Sequence, residues 1–327
     1  MSKKLLSLIL CIVMVASLLA GCGGTSSTPA QSSAPPASSK PADPAPEAKP
    51  ADDEELNFAI IVKSYQSTYW LAAVKGAQEQ MKIKGVNATF NGPNSESDIA
   101  DQVQMFNDAI NSKPDGIGLA ACDPSAMLDA LQAAKEAGIP VIAFDSGIPD
   151  APAGSVLATA STDNYKAGVT AAEGIWTALE SRVKNASGKI RIGVVNQDAT
   201  SESITSRGLG FIDKIFELCK AAGKSPAVVG NDYYVGKAKD KGNEGSADVI
   251  IEVRVPSRTT TELCATEASA ILNQSDTIGV FGSNQVAAEG ILTANQNLGV
   301  LGSTDDKVIA VGFDAGSIIK AAVKDGT

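Results

Sequence analysis

The chain has 327 residues, of which 44% are hydrophobic, and it carries a formal net charge of −10. This length allows about two domains of roughly 150 residues each, and the acidic balance argues against a nucleic-acid or anionic-membrane surface, because either partner needs a basic face. The sequence contains no histidine, which excludes histidine-based acid/base catalysis and histidine-containing metal sites. We therefore expect a soluble two-lobed protein without cofactor, metal or nucleic-acid partner, and few enzyme mechanisms remain open to it.

The first 22 residues have the pattern of an export signal. Lys3 and Lys4 precede a short apolar stretch, and small residues then lead into a cysteine. The run Leu19-Ala20-Gly21-Cys22 resembles the lipobox of bacterial lipoproteins. This resemblance implies a signal peptide at residues 1–21 and a membrane anchor formed by acylation, with palmitate, of Cys22. The alternative is an ordinary signal peptide or N-terminal anchor that merely contains this cysteine.

A segment rich in Pro, Ala and Ser follows the cysteine and contains no large apolar residue between positions 23 and 50. Such a composition cannot bury enough apolar surface to fold. We therefore predict a disordered tether over residues 22–55. At about 3 Å per residue it can hold a folded domain several tens of Å from a membrane.

From Leu56 onward, short β-rich runs alternate with longer helical patterns, and we predict a first lobe over residues 56–161. The strand LNFAIIV leads to a helix that ends at Gly85, and the strand VNATF leads to the helix SESDIADQVQMFNDAINS, which Ser95 or Ser97 is expected to cap. The strand DGIGLAA, the helix PSAMLDALQAAKEAG and the strands IPVIAF and SVLATAS complete this lobe.

A second series of the same kind is predicted over residues 162–327. It begins with a helix after STDN and continues through the strands KIRIGVVN, PAVVGN, DVIIEV, TIGVFG and KVIAVGFD, with helices between them. The stretch Asp232–Val255 has a glycine-rich basic middle and is interpreted as a surface insertion that leads to a strand. Alternation of this kind predicts an α/β fold with two doubly wound parallel-sheet lobes, joined by a hinge near residues 161–164.

Three cysteines remain in the folded part, at positions 122, 219 and 264. Their spacing matches no metal-binding or redox motif. Buried free thiols are the favoured interpretation, and a disulfide between Cys219 and Cys264 is the alternative.

Ligands of open parallel sheets bind beyond the carboxyl ends of the strands, where loops and helix N-termini converge. Carboxylates, amides, cationic groups and aromatic rings collect at these positions, and such a set suits a small polyhydroxylated ligand. The residues at these strand ends are Lys63, Ser64, Tyr69, Trp70, Cys122, Asp123, Asp145, Ser146, Thr162, Asp163, Asn196, Gln197, Asp198, Ser283, Asn284, Phe313 and Asp314.

Each main candidate also has a purely structural alternative. The rings at 69–70 can pack the first helix against the sheet, and Lys63 can be a solvated strand end. Asp145 and Asp314 can cap the following helices or orient turns. Arg207, within a predicted helix, can be an exposed helical residue.

Five motifs together resemble the sugar-type periplasmic substrate-binding proteins of ABC importers, the ribose- and galactose-binding class. They are IPVIAFDSG (139–147), STDN (161–164), SRGLGF (206–211), VFGSNQVAAEG (280–290) and VGFDAG (311–316). The resemblance extends from residue 56 to 327. It implies the type I periplasmic-binding-protein fold, in which three crossovers join two α/β lobes around one ligand. Because that family continues beyond its last helix here, we expect the chain to be C-terminally truncated and to lack a return segment to the first lobe.

The resemblance also implies a set of ligand-binding residues, with Thr162 at the hinge. Ribose binders have Asp-Arg where this chain has Asp145-Ser146, and we expect Lys63 to supply the positive charge that the arginine would have given. The residues implied are Lys63, Ser67, Tyr69, Trp70, Asp145, Thr162, Arg207, Asn284 and Asp314.

The expected function is capture of a monosaccharide or related polyol by a monomeric extracytoplasmic lipoprotein, which delivers it to an ABC permease and is not an enzyme. One alternative is a receptor for a furanosyl autoinducer, or for a ligand read by chemotaxis or a sensor kinase. Another is a glycosidase that uses Asp145 and Asp314 as paired carboxylates. A transcription repressor of this fold would need an N-terminal DNA-reading domain, and the lipobox and tether occupy that place.

Overall fold

The computed structural model describes residues 55–327, so the predicted signal peptide, Cys22 and the predicted tether up to residue 54 lie outside the described residues. The first lobe is a five-stranded parallel sheet with the strand order β2-β1-β3-β4-β5. Its elements are β1 (Asn57–Ile61), α1 (Thr68–Lys84), β2 (Asn87–Asn91), α2 (Ile99–Asn111), β3 (Gly116–Leu119), α3 (Leu128–Glu136), β4 (Val141–Phe144) and β5 (Ala158–Ala160).

The second lobe is also a five-stranded parallel sheet, with the order β10-β9-β6-β8-β7. Its elements are α4 (Asn164–Asn185), β6 (Ile190–Val195), α5 (Glu202–Ala221), β7 (Pro226–Gly230), α6 (Asp232–Lys237), β8 (Val249–Arg254), α7 (Thr261–Leu272), β9 (Thr277–Gly282), α8 (Gln285–Leu298), β10 (Ile309–Val311) and α9 (Ser317–Asp325). The predicted fold class, two doubly wound parallel-sheet lobes, is confirmed. No helix within residues 55–327 combines the length and apolarity that a membrane span requires.

Four strands of each sheet correspond once β5 of the first lobe and β7 of the second are set aside. The order β8-β6-β9-β10 of the second lobe then matches β2-β1-β3-β4 of the first. Strand β7 is added outside β8, with Pro226 opposite Val249 and Gly230 opposite Val253. The prediction of a mere surface insertion at Asp232–Val255 is therefore wrong in part, because its first residues form α6 and bury Tyr234 completely.

Two local predictions on the first lobe have different outcomes. Helix α1 ends as expected at Gly85, whose φ of 66° is the left-handed conformation that glycine adopts without a Cβ clash. The capping prediction for α2 is wrong, because the N-cap residue is Asp98. Ser95 accepts a hydrogen bond from the N–H of Ser97 within the preceding turn, and Ser97 accepts one from the N–H of Thr259.

The three cysteines of the described chain are free and buried, so the alternative of a Cys219–Cys264 disulfide is wrong. Burial raises the pKa of the Cys219 thiol to about 12. Burial also raises the pKa of Cys264 to about 12. Both side chains therefore remain protonated thiols at neutral pH and pack as small apolar groups.

Helices α4 and α5 contact each other backbone to backbone. A Cβ on Gly168 would lie 2.0 Å from the carbonyl oxygen of Arg207, and one on Gly210 would lie 2.1 Å from that of Tyr165. Only glycine permits this approach, because the Cβ of any other residue would overlap the backbone of the facing helix. The contact fixes α5 against α4, and Arg207 of α5 lines the cavity between the lobes.

We predict that Gly210→Ala lowers the free energy of unfolding by about 3 kcal/mol, because the added methyl group can be accommodated only by moving a backbone apart. Urea unfolding measures the change. The matched control is Gly174→Ala in α4, where an added Cβ meets no atom within 4 Å. We expect that control to gain about 0.5–1 kcal/mol through helix propensity, and equal effects of the two substitutions would contradict the close approach.

Candidate functional site

A cavity of about 30 Å³ lies between the two lobes, beyond the carboxyl ends of their strands. Eight of the nine predicted site residues line it. Thr162 does not, since it is exposed and lies in an adjoining surface depression beside Tyr69 and Ala160. The residues that line the cavity are Lys63, Ser67, Tyr69, Trp70, Glu96, Asp145, Ser203, Ile204, Arg207, Asn284, Gln285, Val286 and Asp314.

Lys63 follows β1 and is only 1% exposed, so the alternative of a solvated strand end is wrong. Its Nζ lies 2.8 Å from Oδ2 of Asp145. It also lies 2.5 Å from Oγ of Ser146, 2.8 Å from Oγ of Ser201 and 3.3 Å from Oγ of Ser203. One carboxylate and three hydroxyls therefore surround the ammonium, which is how a charge survives burial.

These contacts define what Lys63 does in the site. An ammonium has three N–H donors, and four protein oxygens already lie within reach of them. The expected positive charge is thus directed at Asp145 of its own lobe and at two serines of the second lobe. Burial by itself lowers the pKa of Lys63, but the carboxylates of Asp145, Glu96 and Asp198 together outweigh it and raise that pKa above its ordinary value.

Asp145 and Asp314 occupy corresponding positions in the two lobes. Each stands in a Phe-Asp-x-Gly sequence after an equivalent strand, β4 or β10, and each has a left-handed backbone, with φ of 64° and 68°. Among residues with a side chain, Asp and Asn tolerate this conformation best. The shared turn aims both carboxylates at one cavity from opposite lobes.

The two carboxylates are held in different ways. Asp145 accepts a hydrogen bond from the hydroxyl of Tyr69 at 3.2 Å as well as the ammonium of Lys63. Burial tends to raise its pKa, but Lys63, with the Tyr69 hydroxyl and the charge of Arg207, lowers it.

Asp314 accepts the backbone N–H of Gln285, the first residue of α8, at 2.9 Å. The N-cap of that helix is Asn284, and the N-cap of the following helix α9 is Gly316. Burial raises the pKa of Asp314.

Arg207 is 7% exposed, so the alternative that it is an exposed helical residue is wrong. Its two Nη groups donate to the carbonyl of Ser283 at 2.8 Å and to Oδ1 of Asn164 at 2.6 Å. The guanidinium lies 3.7 Å from the ring centroid of Phe313, a cation–π contact. Its Nε is buried without a hydrogen-bond partner in the described structure, although Arg207 lines the cavity. A ligand oxygen is the natural acceptor for such a donor.

The aromatic pair behaves partly as its structural alternative predicts. Trp70 is 3% exposed and packs with Val62 and Val74, while its ring also lines the cavity. Tyr69 remains 37% exposed and meets Trp70 edge to face, with ring centroids 5.1 Å apart. The pair therefore joins the core of the first lobe to the wall of the cleft.

Sequence reasoning missed Glu96, whose carboxylate lines the cavity and accepts hydrogen bonds from Nε1 of Trp70 and Nε2 of Gln197, each at 2.9 Å. Burial raises the pKa of Glu96 despite the nearby Lys63. The signal was available, because Glu96 follows β2 at another carboxyl end. It was overlooked because the helix was predicted to start near Ser95, which placed Glu96 inside it.

Direct hydrogen bonds close the cleft between the lobes. Gln285 Nε2 donates to Oγ1 of Thr68 at 2.8 Å, and Arg258 pairs with Asp98 at 2.7 Å. The contacts of Lys63 and Glu96 described above add to these. One water needs about 10–15 Å³ of cavity volume, so the cavity of about 30 Å³ has room for about two waters. This space is smaller than a monosaccharide, and a sugar can therefore enter only if the lobes separate.

We predict that Lys63→Met lowers the free energy of unfolding at pH 7 by about 3 kcal/mol, because it leaves the Asp145 carboxylate buried without its counter-charge. Since Lys63 depresses the pKa of Asp145, the stabilisation it gives is present above the ordinary aspartate pKa of about 4 and is lost as pH falls through the folded-state value. The difference between the two proteins should therefore shrink below about pH 4.

Urea unfolding across this pH range measures both effects. The exposed Lys75 of α1, replaced by methionine, is the control and should change the free energy of unfolding little. A loss in Lys63→Met that stays constant down to pH 3 would contradict the role of the ion pair.

Comparisons with known proteins agree with this architecture. A family model described as a periplasmic binding protein domain matches residues 58–327. The D-allose-binding periplasmic protein of Escherichia coli is 26% identical over 148 residues, which is 41% of this chain and 48% of that protein. The ribose import binding protein of Bacillus subtilis is 28% identical over 172 residues, 50% of this chain and 51% of that protein. The chain thus spans about half the length of the curated relatives it matches.

Solved structures share the fold. An ABC transporter solute-binding protein from Agrobacterium vitis with bound D-fucose has a TM-score of 0.64 and 29% identity, covering 83% of this chain and 80% of that one. A carbohydrate transporter solute-binding protein from Agrobacterium radiobacter in complex with D-arabinose has a TM-score of 0.63 over 84% of this chain and 81% of that one, but at 21% identity it supports the fold alone. With residues 58–327 matched and two parallel-sheet lobes around one cleft, the chain belongs to the periplasmic binding protein domain family.

Proposed function

We propose that this protein captures a monosaccharide or related polyol in the cleft between its lobes and delivers it, outside the cytoplasm, to an ABC permease. The observation that carries the proposal is the pair of corresponding aspartates, Asp145 and Asp314, which line the same cavity from opposite lobes. A carboxylate can accept hydrogen bonds from two adjacent hydroxyl groups, as a sugar presents them. The site needs no enzymatic step, and we propose none.

The remaining lining groups suit the same ligand class. The unpartnered Nε of Arg207 can donate to a ring or hydroxyl oxygen, and Ser67 and Asn284 offer further polar groups. The rings of Tyr69 and Trp70 provide an apolar surface for the C–H face of a sugar.

The charge balance of the cavity favours an uncharged ligand. Three carboxylates line it, those of Glu96, Asp145 and Asp314, against two cations, Lys63 and Arg207. Lys63 is neutralised by Asp145, and burial raises the pKa of Glu96 and of Asp314. An anionic sugar would add negative charge to a site in which burial already disfavours the ionised forms of Glu96 and Asp314.

Ligand-driven closure follows from the same geometry. A ligand shifts an equilibrium between open and closed forms only by its difference in affinity for them. A sugar bound between Asp145 and Asp314 would contact the second lobe fully only when the cleft is closed, so it favours that form.

The relatives suggest which sugars to test, since their names mention D-allose, ribose, D-fucose and D-arabinose. We predict that at least one of these four raises the melting temperature of the protein, because a ligand of the native state stabilises it. For that sugar, Asp145→Asn should weaken the affinity measured by calorimetry by roughly 2 kcal/mol, about 30-fold, since hydroxyls then lose a charged acceptor in a dry site. Asparagine retains the left-handed backbone, which keeps the turn intact.

The matched control is Asp123→Asn. Asp123 follows β3, does not line the cavity and accepts the N–H groups of Ser125 and Ala126, an acceptor role that asparagine can keep. The affinity of the Asp123→Asn protein for the sugar should equal that of the unaltered protein. Absence of a thermal shift with all four sugars would contradict the ligand class, and an unchanged affinity in Asp145→Asn would contradict the role of that carboxylate.

We also propose that the protein is held at the membrane by a lipid on Cys22, which supports capture next to a permease. The proposal rests on the lipobox-like sequence and on the Pro/Ala/Ser segment that follows it. A single acyl chain anchors weakly, whereas two or more chains hold a protein stably at a bilayer.

We predict that Cys22→Ser abolishes incorporation of labelled palmitate and moves the protein from the detergent phase to the aqueous phase on phase separation. Cys11→Ser, which lies within the predicted signal peptide, is the control and should leave both properties unchanged. Equal labelling of the Cys22→Ser protein and the unaltered protein would contradict the lipidation site.

A further inference from the structure

One short segment makes many of the contacts that cross the cleft. Residues 196–203, which join β6 to the start of α5 and are called here the cleft segment, face the first lobe. Gln197 donates to Glu96 at 2.9 Å, and the N–H of Gly147 donates to Oε2 of Glu202 at 3.1 Å. The segment also provides the two serine hydroxyls, at positions 201 and 203, that contact the buried ammonium of the first lobe.

The cleft segment is a turn organised around Asp198. Its Oδ1 accepts the backbone N–H groups of Thr200 at 3.0 Å and of Ser201 at 2.8 Å, and its Oδ2 accepts from Nε2 of Gln197 at 3.0 Å. The position of Asp198 therefore sets the direction of the side chains at both ends of the turn. Moving its backbone would move Gln197 and Ser201 away from their partners in the first lobe.

Strand β7 and helix α6, residues 226–237, are called here the added β7–α6 unit, and one of its residues contacts the backbone of Asp198. The hydroxyl of Tyr234 donates to the carbonyl oxygen of Asp198 at 2.7 Å. Tyr234 has no exposed surface and packs within the main hydrophobic core of the second lobe. Burial raises its pKa well above the ordinary value, so the phenol keeps the proton that it donates.

The added unit is itself firmly attached. Strand β7 pairs with β8 along its length, and the N–H of Asn231 donates to the carbonyl of Val253 at 2.9 Å. The side chain of Asn231 then caps α6 by accepting from the N–H of Tyr233. Tyr234 is thus fixed from the sheet side, and the first lobe's sheet has no strand corresponding to β7.

We propose that Tyr234 is a positioning residue for the ligand cleft: its hydroxyl holds the Asp198 carbonyl and thereby keeps the cleft segment in the geometry that contacts the first lobe. The added β7–α6 unit is, on this proposal, a determinant of cleft closure rather than a surface decoration. The effect on ligand affinity rests on the proposed sugar-binding function, whereas the effect on closure does not.

The test compares Tyr234→Phe with Tyr233→Phe in the same helix. Tyr233 is 37% exposed and meets Tyr234 edge to face, so both substitutions retain that ring contact. Only Tyr234→Phe removes the donor to Asp198. Hydrogen exchange of the protein without added sugar should become about five- to tenfold faster at residues 198–203 and at Gly147 across the cleft in this variant alone, as the loss of one net hydrogen bond implies.

Affinity provides the second measurement. For whichever of D-allose, D-ribose, D-fucose and D-arabinose raises the melting temperature, Tyr234→Phe should bind about three- to tenfold more weakly, and Tyr233→Phe should bind normally.

Two results would overturn the proposal, and a third would contradict the proposed sugar binding while leaving the role of Tyr234 testable. Exchange at residues 198–203 that is equal in the two variants overturns it. So does a purely structural effect, in which Tyr234→Phe exchanges faster throughout the second lobe while Gly147 and the affinity are unchanged. If none of the four sugars binds, the proposed function fails, and the exchange at Gly147 still decides whether Tyr234 positions the cleft segment.

Discussion

The buried contact between Lys63 and Asp145 is the constraint on which the cleft depends. An ammonium that is 1% exposed is costly unless a counter-charge and further acceptors surround it. Two of the three serines in its shell, Ser201 and Ser203, stand at the N-terminus of α5, where the helix dipole disfavours a cation. The Asp145 carboxylate, 2.8 Å from the ammonium, is the counter-charge in direct contact that offsets these costs. Since that carboxylate belongs to the first lobe and these two serines belong to the second, one charge pair fixes the wall of the cleft and ties it to the opposite lobe.

The correspondence between the lobes shows how one turn can serve two electrostatic roles. The Phe-Asp-x-Gly sequences after β4 and β10 give the same left-handed aspartate. Asp145 has a lysine beside it, and its pKa is lowered, whereas Asp314 has only the N–H of Gln285 and the more distant charge of Arg207, and its pKa is raised. The cleft therefore presents one firmly ionised carboxylate and one that accepts protons more readily. Hydroxyl donors from an uncharged ligand satisfy both without adding charge.

The sequence predicts the edge where the site lies better than it predicts which groups face it. Alternating β and helical patterns place the strand ends, and parallel strands bring those ends together, which is why six of the residues expected there line one cavity, namely Lys63, Tyr69, Trp70, Asp145, Asn284 and Asp314. Ser67 and Arg207, which also line it, were implied by the family resemblance alone. The burial of Lys63 could not be read from the pattern, because its partners Ser146 and Ser201 are 83 and 138 residues away. Glu96 was not predicted as a site residue, because helix α2 was expected to start near Ser95 and in fact starts at Ile99. Tyr234 was hidden in a stretch that has the composition of a loop, and its tertiary contacts alone reveal it.

The strength of the closing contacts decides how a ligand can act. Arg258 and Asp98, whose side chains are 55% and 23% exposed, form a surface ion pair of the kind that contributes about 0–1 kcal/mol. The cross-cleft bonds of Gln285 and Gly147 exchange readily for bonds to water when the lobes part. These contacts by themselves favour closure only modestly, whereas opening must also release the buried hydrogen bonds of Lys63 to Ser201 and Ser203. The buried groups that a sugar would meet from both sides, Asp145, Arg207 and Asp314, can then supply the difference in affinity that shifts the equilibrium towards the closed form.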